Sequence, residues 1–208
     1  MAIKPILFNT EMVRAIMDGR KSCTRRLVKF LSGENPRWTG YIKDGLMLYN
    51  GKNEPCIRKA PYQPGDILYV RETWHKYIKR VGEGKSCHLA EFYGYKASIA
   101  NSEDADEPWK PSIHMPKEAA RIWLKVTNMR VERLQDITED GAEAEGAIDN
   151  RGFIHSPEDE YDRIYTAREH FIGIWDRTIK KSDLDIYGWD ANPWVWVIEF
   201  ERCEPQEV

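Results

Sequence analysis

The chain has few cysteines, and no two of them are closely spaced. Its 208 residues include Cys23, Cys56, Cys87 and Cys203, none of which forms a C-x-x-C pair. Structural zinc sites use such pairs, so a metal site is not expected. A chain of this length also has a core large enough to fold without disulfides. We therefore expect free thiols, and neighbouring cations would lower the pKa of the Cys23 thiol.

Long apolar runs and phosphate-binding loops are also missing. No apolar run approaches the roughly 20 residues of a membrane span, and Met1–Pro5 does not lead into a secretory core. The expected location is the cytoplasm, or the host cytoplasm for a phage protein, with no membrane partner. The 14 glycines lack Walker or dinucleotide spacing. Nucleotide hydrolysis and hydride transfer are therefore not expected, nor is any cofactor.

Positive charge is concentrated at the N-terminus. The net charge is -3, but residues 1–29 hold seven Lys or Arg against Glu11 and Asp18, which is 7 − 2 = +5 and leaves −8 for the rest. Such a patch favours binding of one phosphate, a nucleotide or a short RNA segment. The alternative is a solvated basic surface.

The densest group of reactive side chains is Gly19-Arg20-Lys21-Ser22-Cys23-Thr24-Arg25-Arg26. It follows an amphipathic pattern over residues 10–18 that predicts a helix capped by Thr10 and ended by Gly19. One short turn thus combines an amine, a hydroxyl and several guanidinium groups. The alternative is that the cations only neutralise the negative end of the helix dipole.

The remaining patterns predict an α+β fold in a single domain over residues 1–208. Alternation predicts strands at 67–74, 121–134 and 194–201, the last with one face in the core and one that ends in solvent. Helices are predicted over 136–145 and from Ser156, with Pro157 in its first turn, to Ile179. Residues 32–61 and 79–112 have the composition of insertions, as hairpin extensions or mobile loops.

The order of these motifs resembles the ASCH superfamily. The similarity rests on the G-R-K-x-x-T-R turn, the P-G-D turn before Ile67, the T-E-D-x-A-x-x-E-G helix and the terminal V-I-E-F strand. Residues 68–74, 111–116 and 192–197 look like the longer version found in phages and prophages. The resemblance implies a PUA-like, mostly antiparallel β-barrel with flanking helices, and it leaves the two insertions uncovered.

The resemblance also implies an activity. ASCH proteins have been tied to RNA binding, to ribonuclease activity and to hydrolysis of the amide in N4-acetylcytidine. In the hydrolases a Lys and a Thr of this turn act with a later Glu, which correspond here to Lys21, Thr24 and Glu145. Ser22 replaces the Thr that commonly follows the Lys, which keeps a hydroxyl at that position. The resemblance does not identify the substrate, because insertions of this size can reshape the pocket.

The chemistry of such a triad is coherent. Thr24 would attack the acyl carbon, Lys21 would take its proton if burial and nearby cations favour the neutral amine, and Glu145 would protonate the leaving amine. Lys21 and Thr24 share one side of a helical turn but lie on opposite faces of a flat strand, so Lys21 must lie at a bend. Further candidates for substrate contacts are Arg20, Arg25, Arg26, Arg71 and His114.

Three functions therefore remain open. The first is a metal-independent amidohydrolase of an N4-acylated cytidine-type nucleoside, and the second is an RNA-binding module or ribonuclease that uses the same basic groove. The third is a phage or host interaction protein whose insertions form the functional surface. The sequence predicts no oligomeric state.

Overall fold

The computed structural model describes residues 1–31, 41–43, 47–49, 54–55, 60–99, 108–151 and 164–205. The chain divides into two compact units. The first comprises Met1–Asp18, Asp66–Lys125 and Arg202–Val208, and the second comprises Gly19–Gly65 and Val126–Glu201.

Strands and helices alternate irregularly along the chain, which is an α+β arrangement. In chain order they are β1 (Ile3–Leu7), α1 (Thr10–Met17), β2 (Cys23–Leu27), β3 (Tyr41–Lys43), β4 (Met47–Tyr49), β5 (Ile67–Arg71), β6 (Trp74–Val81), β7 (His88–Tyr95), β8 (Trp123–Arg133), α2 (Glu139–Ala144), α3 (Ala167–Thr178), α4 (Leu184–Tyr187) and β9 (Trp194–Cys203). Short 3-10 turns lie between several of them.

In the first unit, β1 pairs in parallel with β5, and β5 pairs antiparallel with the first residues of β8. Apolar side chains of α1 and β5 are fully buried, among them Val13, Ile16, Leu68 and Val70. The strands β6 and β7 form a separate antiparallel hairpin that pairs Trp74 with Tyr95 at its base. This hairpin occupies part of the predicted insertion at 79–112.

In the second unit, β8 continues beside β9, and β9 pairs antiparallel with β2. Helices α2 and α3 pack together over a buried apolar cluster that includes Leu134, Ala142, Phe171, Trp175 and Val195. The short β3–β4 hairpin lies in the predicted insertion at 32–61. Within the described part of the chain the strands form no closed barrel.

Several predicted elements are confirmed with changed ends. The helix over residues 10–17 is present, but its N-cap is Asn9, whose side chain accepts from the Met12 amide; Thr10 is the first helical residue. Gly19 follows with a φ of 77°, as a helix-ending glycine requires. The strand predicted over 121–134 is a single strand, β8.

The strand β9 agrees with its prediction: Trp194 to Ile198 are buried, and the face of Val195 and Val197 ends at the half-buried Glu199 and the exposed Glu201. Two predictions need correction. The strand predicted over 67–74 is interrupted at Glu72 and Thr73, between β5 and β6. The proposed helix start at Ser156 lies outside the described residues, but a continuous helix to Ile179 is wrong. Residues 164–166 are not helical, and α3 begins at Ala167 behind a Thr166–Glu169 capping box.

Candidate functional site

The segment before β2 is held in the second unit by backbone hydrogen bonds on both sides. The Ser22 amide donates to the Ala144 carbonyl at 2.9 Å, and the Ser22 carbonyl accepts from the Phe200 amide at 2.9 Å. Lys21 forms an isolated antiparallel bridge with Glu145. Lys21 therefore lies two residues before the regular strand, beside the end of α2.

Lys21 and Glu145 form a buried ion pair. The Lys21 Nζ lies 2.6 Å from Glu145 Oε2 and 2.7 Å from the Glu145 carbonyl oxygen. Only 4% of Lys21 and 5% of Glu145 is exposed. Glu145 is the C-cap of α2, and carbonyls at a helix end lack intrahelical donors, so Lys21 satisfies the backbone as well as the carboxylate. The structure thus joins two residues that are 124 positions apart.

Arg25 binds the second oxygen of the same carboxylate. Its Nη1 lies 3.3 Å from Glu145 Oε1, while its Nε and Nη2 lie 3.0 and 2.7 Å from Glu132 Oε1. The other oxygen of Glu132 accepts from Arg130 Nε at 3.0 Å, and Arg130 Nη1 donates to Glu199. We call Lys21, Glu145, Arg25, Glu132, Arg130 and Glu199 the charge cluster. Its three cations and three carboxylates alternate, so its formal charge is zero.

A small cleft borders this cluster. It has a volume of about 260 Å³ and is lined in part by Cys23, Arg25, Arg130, Gly141 and Glu199. Sites for drug-sized ligands occupy roughly 300–1,000 Å³. The cleft is therefore smaller than that range, and its described lining does not include Lys21, Thr24 or Glu145. Groups of both charges line it, namely the guanidinium groups of Arg25 and Arg130 and the carboxylate of Glu199.

Cys23 is not an activated nucleophile. Burial raises the pKa of its thiol to about 12, and the Glu145 carboxylate raises it further, against the opposing effects of Lys21 and Arg25. The expectation that neighbouring cations lower this pKa is therefore wrong, because removal from water outweighs their charge. The Sγ lies 3.9 Å from the Gly141 carbonyl oxygen.

Thr24 lies on the other face of β2. Lys21 and Arg25 both reach Glu145, and Cys23 and Arg25 both contact Gly141, so these alternate residues share one side of the chain. Successive residues of a strand point to opposite faces, which directs Thr24 away from α2. Thr24 is 4% exposed. Lys21 precedes the regular strand, but its side chain is on the α2 side.

The other predicted contact residues have different surroundings. Arg20 is exposed, and its Nη1 donates to the Gly146 carbonyl at 3.2 Å. Arg26 is exposed at the surface of β2. In the first unit, Arg71 donates to the carbonyls of Met115, at 2.8 Å, and Ile113, so it holds the 3-10 turn that contains the exposed His114.

The sequence analysis missed Glu132, Arg130 and Glu199. The sequence feature that could have identified Arg130 and Glu132 is the polar face of β8. There, Asn128, Arg130 and Glu132 alternate with the buried Met129 and Val131. Charged residues at alternate positions of a strand mark a face that does not join the apolar core. Only the pairing of β8, β9 and β2 shows that this face meets Arg25.

In the described ranges, no group of three or more His, Cys, Asp or Glu side chains is arranged to hold a metal ion. Within the same ranges, none of the helices has both the length and the apolar character needed to span a membrane.

Comparisons with known proteins add no assignment. No family model, curated protein or solved structure matches the chain. The motifs named above and the geometry of the charge cluster are therefore the grounds for any function.

Proposed function

We propose that this chain is an ASCH-type amidohydrolase that removes the acyl group from an N4-acylated cytidine-type nucleoside without a metal ion. The proposal includes the PUA-like fold that the sequence motifs imply. The fold is supported by the chain order of α1, β2, β5, the long β8, α2 and the terminal β9. The proposed catalytic residues are Lys21, Glu145 and Thr24.

The observation that carries the proposal is the 2.6 Å contact between Lys21 Nζ and Glu145 Oε2. Contact at this distance allows an amine and a carboxyl group to exchange a proton directly during one reaction. Burial of both groups excludes the water that would otherwise compete for those protons. The resemblance names these same two residues.

The proton balance of the reaction follows from this pair. Transfer of one proton from the Lys21 ammonium to the Glu145 carboxylate leaves an amine and a carboxylic acid. The amine then accepts the hydroxyl proton of the nucleophile as the oxygen bonds to the acyl carbon. The acid protonates the exocyclic nitrogen as the C–N bond breaks, which restores the ammonium and the carboxylate.

Thr24 is the proposed nucleophile and forms an acyl ester in the first half-reaction. In the second half-reaction Lys21 again passes a proton to Glu145, and the amine takes a proton from water as the water oxygen bonds to the acyl carbon. The Glu145 acid protonates the Thr24 oxygen as the ester C–O bond breaks, which releases the carboxylic acid and regenerates Thr24. Because β2 directs Thr24 away from α2, this role requires a local change in the chain at residues 21–24 when the substrate binds. The nucleophile is therefore tested separately from the acid–base pair.

An uncharged nucleoside fits the charge cluster better than an RNA chain. Binding of RNA through its phosphates requires a surplus of cations. The buried cations Lys21 and Arg25 already have carboxylate partners, and the cluster is formally neutral. This balance supports the nucleoside hydrolase over the RNA-binding module.

The test is release of cytidine from N4-acetylcytidine, followed by chromatography. We expect turnover by the wild-type protein and loss of at least about 100-fold in Lys21→Ala and Glu145→Gln, the range general acid–base catalysis contributes. Thr24→Ala should be inactive and Thr24→Ser active. Lys29→Ala and Glu143→Gln, which change exposed residues of the same segments, are the matched controls.

Absence of turnover by folded wild-type protein would reject this substrate. Full activity of Thr24→Ala alongside inactive Lys21→Ala would exclude Thr24 as the nucleophile and assign the attack to water. RNA binding that weakens steeply with added salt, without hydrolysis, would instead support the RNA-binding alternative.

A further inference from the structure

We infer that Arg25 and Glu132 are positioning residues that hold the Glu145 carboxylate and set how readily it exchanges a proton with Lys21. This inference rests on the proposed function and deepens it. It assigns Arg25 a role different from the substrate contact that the sequence analysis predicts. It also assigns a role to Glu132, which the family resemblance does not name.

Arg25 is already fully engaged by protein groups. All three of its guanidinium nitrogens donate to carboxylates, two of them to Glu132 and one to Glu145. Only 2% of its side chain is exposed, and the guanidinium carbon lies 5.9 Å from the centre of the Phe171 ring. A substrate would have to displace a buried carboxylate to bind this group. Arg25 therefore acts on the reaction through Glu145.

The two oxygens of Glu145 are held by different cations. Oε2 accepts from Lys21 and Oε1 accepts from Arg25, so the plane of the carboxylate is fixed from both sides. A fixed carboxylate keeps Oε2 aimed at the Lys21 Nζ, which the proposed proton transfer requires. Arg25 thus determines orientation as well as charge.

Glu132 in turn holds Arg25 in place. Its Oε1 accepts from Nε and Nη2 of Arg25, at 3.0 and 2.7 Å, and its Oε2 accepts from Arg130 Nε. The third guanidinium nitrogen of Arg25, Nη1, is thereby directed at Glu145 Oε1. Loss of Glu132 would therefore release Arg25, and with it one of the two cations that hold the Glu145 carboxylate.

Other charges around Glu145 are unchanged by these substitutions. Lys21, Cys23 and Arg26 belong to the β2 segment, Glu132 and Arg130 to β8, and Glu199 to β9. On α3, the uncharged Phe171 ring lies 5.9 Å from the guanidinium carbon of Arg25. The comparison between variants therefore isolates Arg25 and Glu132.

The experiment is ¹⁵N NMR of the Lys21 side-chain ammonium, assigned by its absence in Lys21→Met, with the exchange of its protons with water as the readout. A Glu145 carboxylate held in place protects these protons, so we expect Glu132→Gln and Arg25→Lys each to speed their exchange at least about 10-fold. Glu72→Gln is the matched control, because Glu72 is a buried carboxylate with a two-point Arg121 partner in the first unit, and it should leave the exchange unchanged.

The second measurement is kcat and KM for N4-acetylcytidine. The inference predicts that Glu132→Gln and Arg25→Lys each lower kcat at least about 10-fold with KM within about twofold of wild type. A KM effect without a kcat effect in Arg25→Lys would overturn the inference and return Arg25 to substrate binding.

Failure of the proposed function gives a different result. A wild-type protein that releases no cytidine rejects the hydrolase, but the exchange of the Lys21 ammonium protons still decides whether Arg25 and Glu132 hold Glu145. Exchange that is as slow in both variants as in wild type overturns the inference. If Arg25→Lys does not fold, as judged by its amide NMR spectrum, Glu132→Gln carries the comparison.

Discussion

Replacement of Lys21 by Met tests whether the buried ion pair supports the second unit. The substitution keeps an unbranched side chain of similar length but removes the ammonium from Glu145, whose side chain is only 6% exposed. Breaking a buried pair by removal of one partner costs about 3–5 kcal/mol because the other charge stays buried. Glu145 keeps a second cation, Arg25, at 3.3 Å. We therefore expect the lower end of that range, about 3 kcal/mol.

In a chain of this size, each kcal/mol lowers Tm by roughly 2–4 °C, so Lys21→Met should lower Tm by about 6–12 °C. Glu145→Gln removes the carboxylate but keeps the backbone carbonyl of residue 145 as an acceptor for the buried Lys21 ammonium. It should therefore lower Tm by a similar amount. The double variant removes both charges at once. It should cost about as much as one single variant, since charges that interact directly are not additive.

The assay is differential scanning calorimetry at pH 7 with circular dichroism on the same samples. Lys76→Met is the control, because the Lys76–Glu91 pair in the β6–β7 hairpin is exposed on both sides and should leave Tm unchanged. A Tm of Lys21→Met within about 1 °C of wild type would refute the reasoning, as would single effects that simply add in the double variant.

Four further predictions concern Cys23, Cys87, Gly94 and the cap of α3. The pKa of the Cys23 thiol is raised from 9.0 to about 12 in the folded protein. Its contribution to the unfolding free energy is therefore complete below pH 9 and is lost as the pH rises towards 12. The unfolding free energy should therefore fall above pH 9 by up to about 1.4 kcal/mol per pH unit, and Cys23→Ala should flatten that slope in urea unfolding. Mass mapping of iodoacetamide-treated native protein at pH 8 should find Cys87, which is exposed, labelled and Cys23 unlabelled. Gly94→Ala would place a Cβ 1.9 Å from His75 Nε2, so it should destabilise by about 1–3 kcal/mol, and His75→Ala should relieve most of that cost in the double variant. Thr166→Ala removes the capping box of α3 and should cost about 1 kcal/mol in urea unfolding, while equal stability would exclude a role for the cap.

The candidate site was predictable in part. Lys21 and Glu145 were named through the family resemblance, and the structure places them in direct contact. Arg25 was named as a substrate contact, since a row of cations in one short turn carries no information about which of them is buried. Glu132 was not named at all. Its role depends on pairing between strands that are more than 60 residues apart in sequence.

Local sequence determined the elements whose causes are local. The left-handed Gly19 and Gly146 after the helix ends and the alternation along β8 each involve residues within a few positions of one another. These interactions have fixed geometry, so short patterns predict them. The start of α3 was missed because two capping patterns compete in that region, Ser156–Pro157 and Thr166–Glu169, and only the second caps the described helix.

Tertiary structure alone decided the electrostatics of the site. Burial raised the pKa of Cys23 against two nearby cations, and the pairing of β2 with β9 and the position of α2 gave Arg25 two carboxylate partners. The sign and size of such effects depend on distance to charges and on exclusion of water. Neither quantity is encoded in the spacing of residues along the chain.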